Sequence, residues 1–180
     1  SDIERQPVAR IVEHYRWTGQ PHTSLYQRLA DLLKNVWRCR RVVVDSTGVG
    51  EGVASFLRQA LGGSVVTPFQ FNQRSKSELG FKLLAAVNSG RLKMYAQDGS
   101  DEYMEFWKEV ERARSFFRPN QTMNFLVEAG EGHDDFLMSL ALLAEAMEYR
   151  MRSARGTTRD DYETERRGAR PAAGVLPVPR

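Results

Sequence analysis

The sequence predicts an α/β domain, in which strands alternate with helices along the chain. The run Val42–Val44 is apolar without interruption, which is typical of a central strand covered on both faces. Next to such runs, apolar residues recur at helical spacing, as at Leu25, Leu29 and Leu32. This strand–helix–strand order favours a sheet with right-handed crossover connections.

The first half of the chain contains two predicted strands and two predicted helices. Residues 8–17 alternate apolar and polar side chains and predict a half-buried strand. A helix follows over 23–35, with Thr23 or Ser24 as its N-cap. After the strand at Val42–Val44, glycines open a helix over 50–61 that a Gly-Gly pair ends.

The second half continues the alternation. Short apolar runs predict strands over 65–69, 92–94 and 123–127. Helical spacing predicts helices over 76–88, 101–116 and 134–151. We therefore expect one domain over residues 1–152. From residue 153 to 180 charged and small residues replace the apolar periodicity, and this composition predicts a disordered tail.

Composition narrows the class of protein. Of the 180 residues 41% are hydrophobic, enough for a core, and the net charge of +3 is mildly basic. The single cysteine, Cys39, cannot form an internal disulfide, which fits a reducing compartment. No apolar run approaches the length of a membrane span, so no membrane is expected as a partner.

Carboxylates stand at the ends of two predicted core elements. Asp45 follows the apolar strand, and Asp134 and Asp135 precede the apolar final helix. Either group has a simpler interpretation as turn or cap residues. Because sites in α/β sheets form at the carboxyl ends of strands, we expect the acids to meet around a divalent cation. Asp135 is favoured as the direct ligand over Asp134, although the order could be reversed.

The type of cation follows from the type of ligand. Carboxylate oxygens without cysteine or a histidine pair suit Mg²⁺ or Mn²⁺ rather than zinc. His133, next to the acid pair, is a candidate supporting residue. Three further acids near the predicted site are weaker candidates: Glu51, Glu128 and Glu131.

Two basic residues are candidates for contact with a phosphate backbone. Arg74 and Lys76 lie in and after a polar loop, where a solvated surface role is equally plausible. The glycines of residues 48–52 do not make a phosphate-binding loop, since the Lys-Ser/Thr pair of that motif is absent. They favour a sharp turn between strand and helix.

Two motifs together resemble a known family. D-S-T-G-V-G-E-G-V begins at Asp45, and G-H-D-D-F-L-M-S-L-A-L-L-A begins at Gly132. Over residues 8–150 the chain is similar to the C-terminal nuclease domain of the large terminase subunit of tailed bacteriophages. The resemblance implies an RNase H-like mixed sheet flanked by helices, and a Mg²⁺- or Mn²⁺-dependent endonuclease that cuts concatemeric double-stranded DNA.

The resemblance also implies which residues hold the ions. In that family three acids hold two metal ions for phosphodiester hydrolysis. Asp45 matches the second acid, and the pair Asp134-Asp135 matches the third. The first acid, its strand and the packaging ATPase domain have no counterpart here, so we expect this chain to cut poorly alone. The implied partners are DNA, the terminase small subunit and the portal, in the cytoplasm of a bacterial host.

Other functions fit the same residues. A junction resolvase or transposase with an RNase H-like fold would use the same acids on another substrate. A non-catalytic α/β binding module would use Asp45 and Asp135 only as caps. A prophage remnant with a decayed site is a further alternative, against which the intact acids argue mildly.

Overall fold

The computed structural model describes residues 7–153. Apart from its first residue, the predicted tail lies outside this range, so the structure does not test the prediction of a disordered tail. Within the range no helix is both long and apolar enough to cross a membrane.

The described elements follow the predicted alternation. The helices are α1 His22–Asp31, extended by a π-helical turn over Leu32–Val36, α2 Gly50–Leu61, α3 Gln73–Asn88, α4 Asp101–Arg112 and α5 Asp135–Ser153. The strands are β1 Ala9–Arg10, β2 Val42–Asp45, β3 Val66–Phe69, β4 Leu92–Lys93, β5 Arg114–Phe117 and β6 Met123–Leu126.

Parallel and antiparallel strand pairs are both present. β2 pairs in parallel with β3, with Val42 opposite Val66 and Asp45 opposite Phe69, and α2 is the crossover between them. β1 pairs in parallel with β4, and β5 pairs antiparallel with β6. The structure confirms the α/β prediction and the mixed strand directions.

The core forms where α3, α5 and β6 pack together. Leu79 of α3 and Ala141 of α5 are fully buried. They contact a cluster that also includes Leu83, Phe125, Val127, Leu137 and Ala144. Gly80 allows α3 to approach β6 closely, because a Cβ there would overlap the side chains of Met123 and Phe125. Burial of this cluster orients the first turns of α3 and α5.

The predicted strand over 8–17 is wrong beyond Arg10. Only Ala9 and Arg10 pair with β4, and Ile11 adds one backbone hydrogen bond to Lys93. From there the chain is irregular, and its aromatic rings contact residues elsewhere in the chain. His14, for example, stacks on Phe106 at 4.7 Å between ring centroids. Alternation alone does not make a strand without a paired backbone.

The predicted helix over 101–116 is also wrong at its end. α4 ends at Arg112, Ala113 is extended, and Arg114–Phe117 become β5. The antiparallel partner β6 supplies the hydrogen bonds that override the helical spacing.

The helix predicted over 76–88 starts too late, since α3 begins at Gln73. Asn72 caps the helix by accepting from the N–H groups of Arg74 and Ser75.

Candidate functional site

An open pocket of about 440 Å³ lies at the carboxyl end of β2, beside the first turns of α3 and α5. Four charged residues line it: Asp45, Lys76, Asp134 and Asp135. Two hydroxyl residues and three apolar ones complete the wall: Thr47, Ser139, Phe71, Met138 and Leu142. The structure thus brings the acids from two distant segments into one pocket.

Asp45 is the exposed last residue of β2. Its Oδ1 accepts a hydrogen bond from the backbone N–H of Thr47 at 2.7 Å, as in an Asx turn. Asp45 is therefore a turn residue as well as a residue of the pocket lining. This hydrogen bond leaves the carboxylate able to accept further bonds, because its two oxygens have about four acceptor positions.

Asp134 and Asp135 lie on either side of the start of α5. Asp135 is the first helical residue and is exposed, whereas Asp134 is half-buried and its carbonyl accepts from the Met138 N–H at 2.8 Å. Both carboxylates stand at the positive end of the helix dipole, which stabilises negative charge. Both line the pocket despite their different directions.

Lys76 lies in the first turn of α3 and reaches into the same pocket. Its Nζ stands 5.3 Å from the centre of the Phe125 ring. Partial burial lowers the pKa of the Lys76 ammonium, and attraction to Asp134 acts in the opposite direction. Lys76 is thus a cation held next to one of the acids.

The other predicted site residues lie outside this pocket lining. Arg74 is exposed and its Nε is 2.9 Å from Oε1 of Glu78, one turn along α3. His133 is exposed in the loop before α5. Glu51 lines a different pocket. Glu128 and Glu131 are exposed in that same loop, where Arg112 donates to the Glu131 carbonyl.

Sequence reasoning missed the two hydroxyl residues of the pocket. Ser139 lies one helical turn after Asp135, so the i, i+4 spacing could have placed it on the same face. Thr47 follows Asp45 by two residues, and its Oγ1 accepts from the Phe71 N–H at 2.9 Å. That bond crosses from the β2 loop to the β3 loop, and no local pattern predicts it.

The acids that line the pocket are of the type that binds a hard divalent cation. Within the described part of the chain, no three His, Cys, Asp or Glu side chains are grouped closely enough to hold a metal ion by themselves. Mg²⁺ does not require such a cage, because it keeps several waters and binds through one or two carboxylates and substrate phosphates. An open, acid-lined pocket suits that mode of binding.

Comparisons with known proteins agree with this architecture. Residues 3–145 match the family model described as the terminase RNase H-like domain. No curated protein matches the chain. The crystal structure of the large terminase nuclease from thermophilic phage G20c is 24% identical, with a TM-score of 0.52 over 69% of this chain and 61% of that chain.

A second structure of the phage G20c nuclease, with bound magnesium, gives the same result. It is 24% identical, with a TM-score of 0.54 over 71% of this chain and 62% of that one. The chain thus spans about three fifths of either nuclease chain. At this identity the two structures show a shared fold, while the family model covers most of the sequence. The predicted RNase H-like fold is confirmed, and the chain belongs to the terminase RNase H-like domain family.

Proposed function

We propose that the chain is the metal-dependent endonuclease domain of a viral DNA-packaging terminase, and that it cuts concatemeric double-stranded DNA. The main support for the proposal is the pocket, which is lined by Asp45, Asp134, Asp135 and Lys76. The magnesium in the phage G20c nuclease structure supports a divalent ion in this fold.

Asp45, with Asp135 and Asp134, would hold two Mg²⁺ or Mn²⁺ ions. Two-ion phosphodiester hydrolysis lowers the pKa of the attacking water and stabilises the leaving 3′ oxygen, which is the chemistry that bound ions would supply. Asp134 and Asp135 present their oxygens from the start of α5, and Asp45 does so from the end of β2. These elements are held by the core rather than by the ions.

Lys76 and the hydroxyl residues would position the DNA backbone. The half-buried ammonium of Lys76 is a point charge beside the acids and can bind a phosphate oxygen. The Thr47 hydroxyl already accepts from Phe71, so its proton is free to be donated to a phosphate. Exposed Arg74 would contact the backbone outside the pocket. Such contacts carry no base information, so we expect little sequence preference.

The larger assembly is part of the proposal. Terminase nucleases act within a packaging complex, so the terminase small subunit and the portal are the expected protein partners, in the cytoplasm of the bacterial host. The net charge of +3 is mildly basic and does not by itself indicate a DNA-binding protein. Affinity for DNA would therefore depend on local cations and on these partners.

Plasmid cleavage in the presence of Mn²⁺ tests the proposal, with each substitution made in an otherwise complete nuclease domain, because we expect this chain to cut poorly alone. Asp45→Asn removes one ligand charge at nearly constant shape and should abolish cutting while circular dichroism remains unchanged. Asp31→Asn, in an exposed acid near the end of α1, is the matched control and should cut normally. Cutting by Asp45→Asn would reject the assignment. Preferential cleavage of four-way junctions over linear duplex would instead favour a resolvase.

A further inference from the structure

Glu109 is a buried carboxylate of α4 that points at the start of α5. Only 3% of its surface is exposed. Its Oε2 accepts a hydrogen bond from the backbone N–H of Leu137 at 2.9 Å. The N–H of Phe136 is close enough to this carboxylate to lower its pKa. A residue from another helix therefore caps the first turn of α5.

The cap explains why a carboxylate is buried here. The first N–H groups of a helix have no partner within it, and a helix the length of α5 carries a positive partial charge of about +0.5 at that end. Burial raises the pKa of Glu109, and the bond from the Leu137 N–H, with the nearby Phe136 N–H, works against that rise. Glu109 thus places negative charge directly on the positive end of α5.

The same helix end carries the proposed metal ligands. Asp135 is adjacent to Phe136, and its carboxylate is close enough to raise the pKa of Glu109 by repulsion. A cation that approaches Asp134 and Asp135 also approaches the positive end of the helix, which opposes it. A negative charge bonded to those N–H groups offsets this opposition.

We propose that Glu109 is a positioning residue for the pocket: it fixes the first turn of α5 and makes that helix end favourable to a divalent cation. The inference rests on the proposed function, since it presupposes that Asp134 and Asp135 bind such an ion. Glu109 lies outside the pocket lining. Its effect passes through the backbone of Phe136 and Leu137.

Two variants separate the charge of Glu109 from its capping bond. Glu109→Gln keeps an oxygen that accepts from the Leu137 N–H but removes the charge. Glu109→Leu removes both at similar volume. Glu111→Gln, on the exposed side of α4, is the control for loss of one acidic charge from the same helix.

Calorimetric titration with Mn²⁺ at about 0.15 M ionic strength, where exposed charges are screened, measures the effect of the buried charge. We expect Glu109→Gln to bind Mn²⁺ roughly 10-fold more weakly, as is common for residues that orient metal ligands. Glu111→Gln should change the affinity less than about twofold. Equal affinities for wild type and Glu109→Gln, or equal losses in the two Gln variants, would overturn the electrostatic part of the proposal.

Amide hydrogen exchange without metal measures the cap. Exchange at Phe136 and Leu137 should be faster in Glu109→Leu than in Glu109→Gln, and unchanged in Glu111→Gln. Equal protection in all three variants would overturn the positioning role. If the unmodified chain binds no Mn²⁺, the proposed function is contradicted, and the exchange result still decides whether Glu109 positions α5.

Discussion

Gly50 lies with its Cα directly against the backbone carbonyl of Asp45, so that a Cβ at position 50 would overlap that oxygen. Gly50 is also the first residue of α2, and its N–H donates to the Thr47 carbonyl at 3.1 Å. The sharp turn that leaves Asp45 at the pocket therefore depends on the absence of a side chain at this position.

Gly50→Ala should destabilise the domain. The added methyl group must push the Asp45 carbonyl away, and overpacking of this kind costs about 1–3 kcal/mol. Gly52→Ala is the matched control, because Gly52 is exposed within α2 and its Cβ would meet only the Tyr26 hydroxyl at 3.4 Å. That change should be neutral or stabilise by about 0.5–1 kcal/mol. Chemical denaturation measures both, and equal stabilities would contradict the close contact.

Asp134 and Asp135, at the start of α5, should differ in their effect on cation binding. Asp135→Asn should abolish detectable Mn²⁺ binding if Asp135 is the direct ligand. Asp134→Asn should weaken binding about 10–100-fold, as expected for an outer ligand. Asn caps helices as well as Asp does, so neither change should unfold α5. Calorimetry ranks the two variants, and the reverse order would make Asp134 the direct ligand.

Lys76 and Arg74 should separate catalysis from general DNA affinity. Lys76→Met keeps the apolar stem but removes the charge from the pocket. In an otherwise complete nuclease domain it should lower the cleavage rate at saturating DNA. Arg74→Gln, at an exposed position, should leave that rate unchanged. If Arg74 binds a phosphate, its replacement should reduce the slope of log binding constant against log salt by about 0.9. A normal cleavage rate for Lys76→Met would show that Lys76 takes no part in cleavage.

His14 should make the stability of the domain depend on pH. Its Nδ1 lies 3.0 Å from the Tyr95 hydroxyl, and its ring packs on Phe106 and Phe136. Burial lowers the pKa of His14 below its ordinary value of 6.5, with Glu13, Asp98 and Glu102 partly opposing this. Protonation therefore favours the unfolded chain.

The lowered pKa of His14 determines how the stability changes with pH. The contribution of neutral His14 is complete above pH 6.5 and is lost as the pH falls through the lower pKa of the folded state. Thermal unfolding should show a larger loss of stability between about pH 7.5 and pH 5.5 for wild type than for His14→Phe. His22 and His133 are retained in both proteins and serve as an internal control. Parallel curves would show that His14 is not the titrating group.

Most elements could be predicted because their signals are local. The boundaries of α2 match the prediction at both ends, since glycines lie at each end of its apolar face. The start of α3 was missed although Asn72 and Ser75 form a capping box, because a Ser at the fourth position is a weaker signal than Glu or Gln. The errors at β1 and β5 arose where backbone pairing with another strand decides the state of the chain.

The acids of the proposed site could be selected from the local sequence. An acid after an apolar run and an acid pair before an apolar helix identify Asp45, Asp134 and Asp135, because strand ends and helix starts are local features. That Lys76 enters their pocket and that Glu109 caps α5 depends on how α3 and α4 pack against α5. These contacts join residues far apart in the chain, so only burial of the shared core determines them.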